Sequence, residues 1–182
     1  MTKMTSFLVT LVAEDDVIDK VVQAPTPEEA ITIAVGLVEI NVLEAEVDEV
    51  SSLLVDRLYD ASPVKDPWGC GFSLDMVLQK VEPQEDTDVP YDTLMLEGKR
   101  PSAEWHAARI RYMIKNPSVL YWPVEVGCFA TEDMTFMVPE VLDGWHRLFA
   151  HKVMKKRTID AKFSGDAQLL SFLEGNTSYL VE

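Results

Sequence analysis

The residues best suited to chemistry are Asp143-Gly144-Trp145-His146-Arg147, because a glycine stands between an apolar run and an amphipathic one. Phe136 to Leu142 has an extended pattern, and Trp145 to Lys156 has the helical one, with Leu148, Phe149 and Val153 on one face. Gly144 then marks a helix start. The unpaired amides and positive end of the macrodipole there favour an anion, and His146 and Arg147 lie beside them. Arginine can hold phosphate through two parallel hydrogen bonds. The plainer alternative is an ordinary turn followed by a surface His-Arg pair.

Hydrolysing a phosphate ester requires charge neutralisation, an oriented water and usually a divalent cation. Asp143 and Glu125 are the candidate catalytic acids, and Asp143 is also the candidate metal ligand. Each has a structural alternative: Asp143 as a helix cap, Glu125 as an outward-facing strand residue.

Two further stretches accompany the glycine box: Pro123-Val124-Glu125-Val126 before it, and Arg157-Thr158-Ile159-Asp160-Ala161-Lys162 after it. Together with Tyr91-Asp92-Thr93-Leu94, Lys99-Arg100-Pro101 and the following helix, they resemble the ParB/sulfiredoxin superfamily over about Val89 to Ser164. The resemblance implies an α+β, ParB/Srx-like C-terminal domain that binds a nucleotide, ATP or CTP, with magnesium. It places Arg100 at the family's Arg-Pro, Arg109 near a basic residue that meets nucleotide phosphates, and Gly144, His146 and Arg147 in the phosphate box. Sulfiredoxins carry a reactive cysteine where this chain has Trp145, so their repair chemistry is not expected. Chromosomal ParB proteins add a helix-turn-helix that Gly165 to Glu182 is too short to hold. The nearest pattern is that of short plasmid and phage members, the ParB-like nucleases and fertility-inhibition proteins. An ATPase or CTPase with DNase activity is the implied function, and a catalytically silent acidic inhibitor is the alternative.

Charge divides the chain unequally. Met1 to Val89 sets 5 Lys plus Arg against 19 Asp plus Glu, a net of −14, whereas Pro90 to Glu182 sets 11 against 12, a net of −1. Such asymmetry suggests a protein target for the acidic half, and a DNA contact through Lys152, Lys155, Lys156 and Arg157 in the other. The plainer alternatives are a solubilising acidic surface and basic residues complementing a helix end.

The elements that must position these groups are legible in outline. Phe7 to Val12 and Val17 to Val22 predict a hairpin, and Thr26-Pro27-Glu28-Glu29 predicts a helix from Pro27 to about Glu39. Asn41 to Glu49 is ambiguous between strand and loop, and apolar runs follow at Val50 to Leu58 and Phe72 to Val81. The proline-bracketed acidic stretch Glu82 to Pro90 predicts a linker between a small acidic N-terminal α+β unit, residues 1 to 86, and a nucleotide-binding domain, residues 87 to 182. In the second unit a helix is expected from Ser102 to Lys115, stopped by Asn116-Pro117. His106 on that helix is expected to be structural.

With 47% hydrophobic residues in 182, the chain can bury a core without staples. Cys70 and Cys128 lack metal or redox spacing, and Cys70 has no neighbouring histidine to activate it. The carboxylates Glu44, Glu46, Asp48 and Glu49 lack the calcium-loop arrangement. No apolar stretch reaches membrane-spanning length and Met1 to Val12 lacks a signal-peptide pattern, so a cytoplasmic location and no membrane partner are expected.

Overall fold

The computed structural model describes residues 4–14, 16–79, 84–130 and 137–178. Among these lie a six-stranded sheet and seven α-helices, a mixed α+β architecture. The chain begins with strands β1 (Thr5–Val12) and β2 (Val17–Ala24), the expected hairpin, each slightly longer than its apolar run. Phe7, Val9 and Leu11 alternate onto the buried face of β1, which is the period-2 pattern of a half-covered strand. Helix α1 (Pro27–Gly36) covers that face with Ala30 and Ala34, and the Thr26 hydroxyl caps it by accepting from the Glu29 amide at 3.3 Å. It ends at Gly36, one turn before the expected Glu39.

The ambiguous segment belongs to a long strand, β3 (Glu44–Leu54), which absorbs the start of the apolar run at Val50. The rest of that run becomes helix α2 (Val55–Ala61). A single hydrophobic run thus serves two elements, because Leu53 lies in the sheet while Val55 and Leu58 point from a helix into the same core. The run from Phe72 to Val81, whose last two residues lie outside the described ones, yields a short helix, α3 (Leu74–Leu78), in its described part.

Helix α4 (Tyr91–Leu96) leads to helix α5 (Ala103–Lys115), capped by Ser102 and stopped at Asn116 as the sequence predicts. A 3-10 turn (Pro117–Leu120) follows, then strands β4 (Val124–Ala130) and β5 (Met137–Asp143). Helix α6 (Trp145–Val153), strand β6 (Thr158–Phe163) and helix α7 (Ala167–Glu174) complete the order. Helix α6 stops short of the expected Lys156, where Lys155 takes a positive φ of 54°.

The sheet order is β2-β1-β3-β6-β4-β5. Strand β3 joins the two halves of the chain: its first part pairs with β1, and Ser51 to Leu54 pair antiparallel with Ala161 to Thr158 of β6. The packing crosses the expected linker as well. Leu53, Val55 and Leu58 share one cluster with Val124, Leu148 and Leu169, while Phe72 and Val77 share another with Ala107, Ile110 and Phe149. The described part of the predicted linker is fastened to α5, since Trp105 Nε1 donates to the Glu85 carbonyl at 3.1 Å and Arg109 donates to the Thr87 carbonyl at 2.6 Å. Helix α6 stands between the two clusters, giving Leu148 to one and Phe149 and Ala150 to the other. That placement sets its first turn at the end of β5. No helix is long and apolar enough to cross a membrane among the described residues.

Candidate functional site

Gly144 is the N-cap of α6, with φ 96° and ψ 19° in the left-handed region. The local space demands glycine too: a Cβ there would lie 2.6 Å from Val124 Cγ1 and 3.0 Å from an Arg147 nitrogen. The sharp turn lets β5 run straight into α6, so the helix starts at a strand end. The N–H groups of Trp145, His146 and Arg147 are the first three of the helix and have no acceptor within it.

These residues open onto a cavity of about 840 Å³. Its walls come from five places in the chain: the Pro67-Trp68 loop, Tyr91 and Asp92 of α4, Arg109 and Met113 of α5, Ser118 and Trp122 beyond it, and Leu142 to Arg147. The volume is in the usual range for a small-molecule site, roughly 300 to 1,000 Å³. It combines aromatic walls with two guanidinium groups and one helix start.

Arg147 is held rather than free. One guanidinium nitrogen donates to the Pro123 carbonyl at 3.0 Å and another to the carboxylate of Asp143, four residues before it. The head group is thereby fixed at the cavity wall, and Asp143 is committed to the ion pair. Arg109 is buried, donates to Thr87 and lies over the ring of Tyr112 at 5.4 Å. Burial lowers its pKa, with Tyr112 and Asp88 opposing, and a guanidinium keeps its charge under such conditions.

His146 does not project as an exposed cation. It is 9% exposed, and its Nε2 lies 2.9 Å from Nδ1 of His106, which is 1% exposed. Both rings stack on the Trp68 indole, with centroids 3.8 Å away for His106 and 4.5 Å for His146. Burial pushes the His106 imidazole down from the usual 6.5 to about 4, against the opposing charge of Asp66. Burial also holds His146 well below its usual value, reinforced by His106, Arg109 and Arg147. Both shifts favour a neutral, hydrogen-bonded pair at neutral pH.

The other expected site residues fall elsewhere. Arg100 is exposed in the loop after α4 and does not line the cavity. Glu125 is exposed on β4 and stands opposite Asp143 in the ladder, yet it too is outside the cavity wall. Of the basic cluster, Lys152 pairs with Asp56 at 2.8 Å and Asp60 at 3.5 Å, while Lys155, Lys156 and Arg157 are exposed. Among the described residues no three His, Cys, Asp or Glu groups gather closely enough to hold a metal ion.

Sequence reasoning missed Trp68, Tyr91 and Trp122 as walls of the site, and it treated His106 in isolation. No local pattern links His106 to His146, 40 residues apart. The turn-rich Pro67-Trp68-Gly69 was the one available signal, since a tryptophan in a tight turn needs something to pack on.

A second cavity, about 670 Å³, shares Ser118 and Trp122 with the first. Leu8, Val21, Leu120, Tyr121 and Ile159 supply its apolar wall, and Asp19, Lys20, His151 and Asp160 its polar rim. Burial raises the Asp160 carboxyl pKa, with His151 opposing.

Comparison with protein-family models, curated proteins and solved structures finds no match for the chain.

Proposed function

We propose that the chain is a nucleotide-binding protein of ParB/Srx-like type that takes a nucleoside triphosphate, ATP or CTP, in the cavity at the start of α6. The observation that carries this reading is the left-handed Gly144, which brings three helix-start amides and the fixed Arg147 guanidinium to one wall of an aromatic-lined cavity. Phosphate oxygens there would meet N–H donors and positive charge together. Trp68, Tyr91 and Trp122 offer flat surfaces for a base. Arg109 adds a second positive charge to the wall. Magnesium would arrive with the phosphates, since it commonly binds through substrate oxygens and few protein groups.

Asp143 gives one carboxylate oxygen, Oδ2, to Arg147, and Glu125 lies outside the cavity wall, so binding is better supported than hydrolysis. Titration calorimetry with ATP and CTP, with and without magnesium, tests the reading. Binding by the native protein, weakened in Arg147→Ala, supports it; no heat with either nucleotide at millimolar concentration sinks it. Phosphate release and nicking of plasmid DNA, measured on the same samples, decide whether catalysis follows.

A second reading is favoured by the other cavity, where exposed Tyr121 and Trp122 adjoin Asp19 and Asp160. Such a surface suits a basic protein partner and an inhibitory role. Association that weakens with salt and with Tyr121→Ala, but not with Arg147→Ala, would favour it.

A further inference from the structure

The buried histidine pair has no use in a purely electrostatic cradle. His146 lies in the first turn of α6 and on the cavity wall, its Nε2 is 2.9 Å from His106 Nδ1, and Trp68 stacks on both rings. The geometry points to a proton-accepting unit: we propose that a phosphoryl group bound at the start of α6 draws one proton from solvent into the His106–His146 pair, making binding proton-coupled. This rests on the cradle reading above and specifies how that site is regulated.

The hydrogen count gives the reason. A neutral pair carries two ring protons, one of which lies in the N···N bond, so only one outer nitrogen bears a proton. Which one it is depends on the tautomer. Adding a proton produces an imidazolium that donates to its neutral partner, and both outer nitrogens become donors. His146 is then an N–H donor in every case. No other bond forms or breaks, and the proton returns to solvent when the anion leaves.

Burial is the first cause that disfavours a proton on the pair, and the surrounding charges modify it. Arg147 on α6 and Arg109 on α5 both oppose protonation of His146. Asp66, in the loop before Trp68, favours protonation of His106. Tyr91 of α4 faces both rings, with centroids at 5.3 Å and 6.1 Å, and Asp92 lies on the cavity wall. Asp143 is spent on Arg147, Asp88 acts on Arg109, and Glu104 is exposed on the first turn of α5. A bound phosphate would offset the two guanidiniums and add an opposite charge nearby, an effect that raises a neighbouring pKa by roughly 1 to 3. His106 behaves as a positioning residue in this scheme, acting through His146.

The chain has three histidines, so its imidazole signals can be followed individually by NMR after ring labelling. His151, on the other cavity with its Nδ1 2.9 Å from the Arg147 carbonyl, is the comparison signal. The intact protein is titrated between pH 4.5 and 8 with and without saturating ATP, and occupancy is read from the Gly144 and Trp145 amides. The expected result is an upward pKa shift of about 2.5 for the His106–His146 signals, His106 starting from about 4, with His151 moving far less. In His106→Phe, ATP affinity should lose its rise of about tenfold between pH 7.5 and 5.5, whereas His151→Phe should keep it. Amide shifts on adding ATP without any imidazole response would overturn the proton coupling while leaving the cradle standing. Unmoved amides would overturn both.

Discussion

His106 Nδ1 and His146 Nε2 lie 2.9 Å apart inside the protein, and one tryptophan, Trp68, stacks on both rings. Two titratable groups from different helices thus share one hydrogen bond and one apolar cover. Burial opposes a proton on either ring in the free protein; at His146 the neighbouring His106, Arg109 and Arg147 add to it, and at His106 Asp66 works against burial.

Stability should therefore fall on mild acidification. The His106 pKa is about 4 in the folded chain against 6.5 for a solvated imidazole. The unfolded chain binds this proton first, so the contribution is complete above pH 6.5 and is lost progressively down to pH 4. Discounted for solvent screening, the loss is on the order of 2 kcal/mol. Urea midpoints at pH 7.5 and 4.5 measure it, and His106→Phe should show a smaller difference between them. An equal difference in the variant would place the acid sensitivity elsewhere.

Gly144→Ala should destabilise the fold by about 1 to 3 kcal/mol, because the new methyl group meets Val124 and the backbone stays left-handed. Gly36→Ala is the control, since nothing lies within 4 Å of an added Cβ there. Thermal unfolding of the two variants gives the comparison, and similar melting temperatures would mean that the β5–α6 turn relaxes freely.

Arg147→Ala should weaken triphosphate binding by about 1.5 to 3 kcal/mol, the range for a charge-assisted contact. Lys155→Ala should change it little, because Lys155 is exposed beyond the far end of α6. Equal losses in both, measured by calorimetry, would indicate diffuse attraction to positive charge.

Residues 87 to 182 expressed alone should aggregate or lose nucleotide affinity. The missing half supplies Leu53, Val55 and Leu58 to one core, Phe72 and Val77 to the other, and Trp68 to the cavity. Gel filtration and calorimetry of the fragment test this. A monomeric fragment with full affinity would establish the division at residue 86 as one between independent units.

What the sequence determined by itself was local. Capping residues, alternation and a stop at Asn116-Pro117 located the hairpin, α1, α5 and the start of α6, because each depends on groups within a few residues of one another. The glycine before α6 was legible for the same reason. Tertiary structure decided the rest. Only packing could split the Val50 to Leu58 run between β3 and α2, or carry β3 across the expected linker to pair with β6. The sequence placed His146 beside Arg147 at the helix start. The fold turned it toward His106 under Trp68, where desolvation outweighs the solvated pKa, and a partner 40 residues away leaves no trace in local spacing.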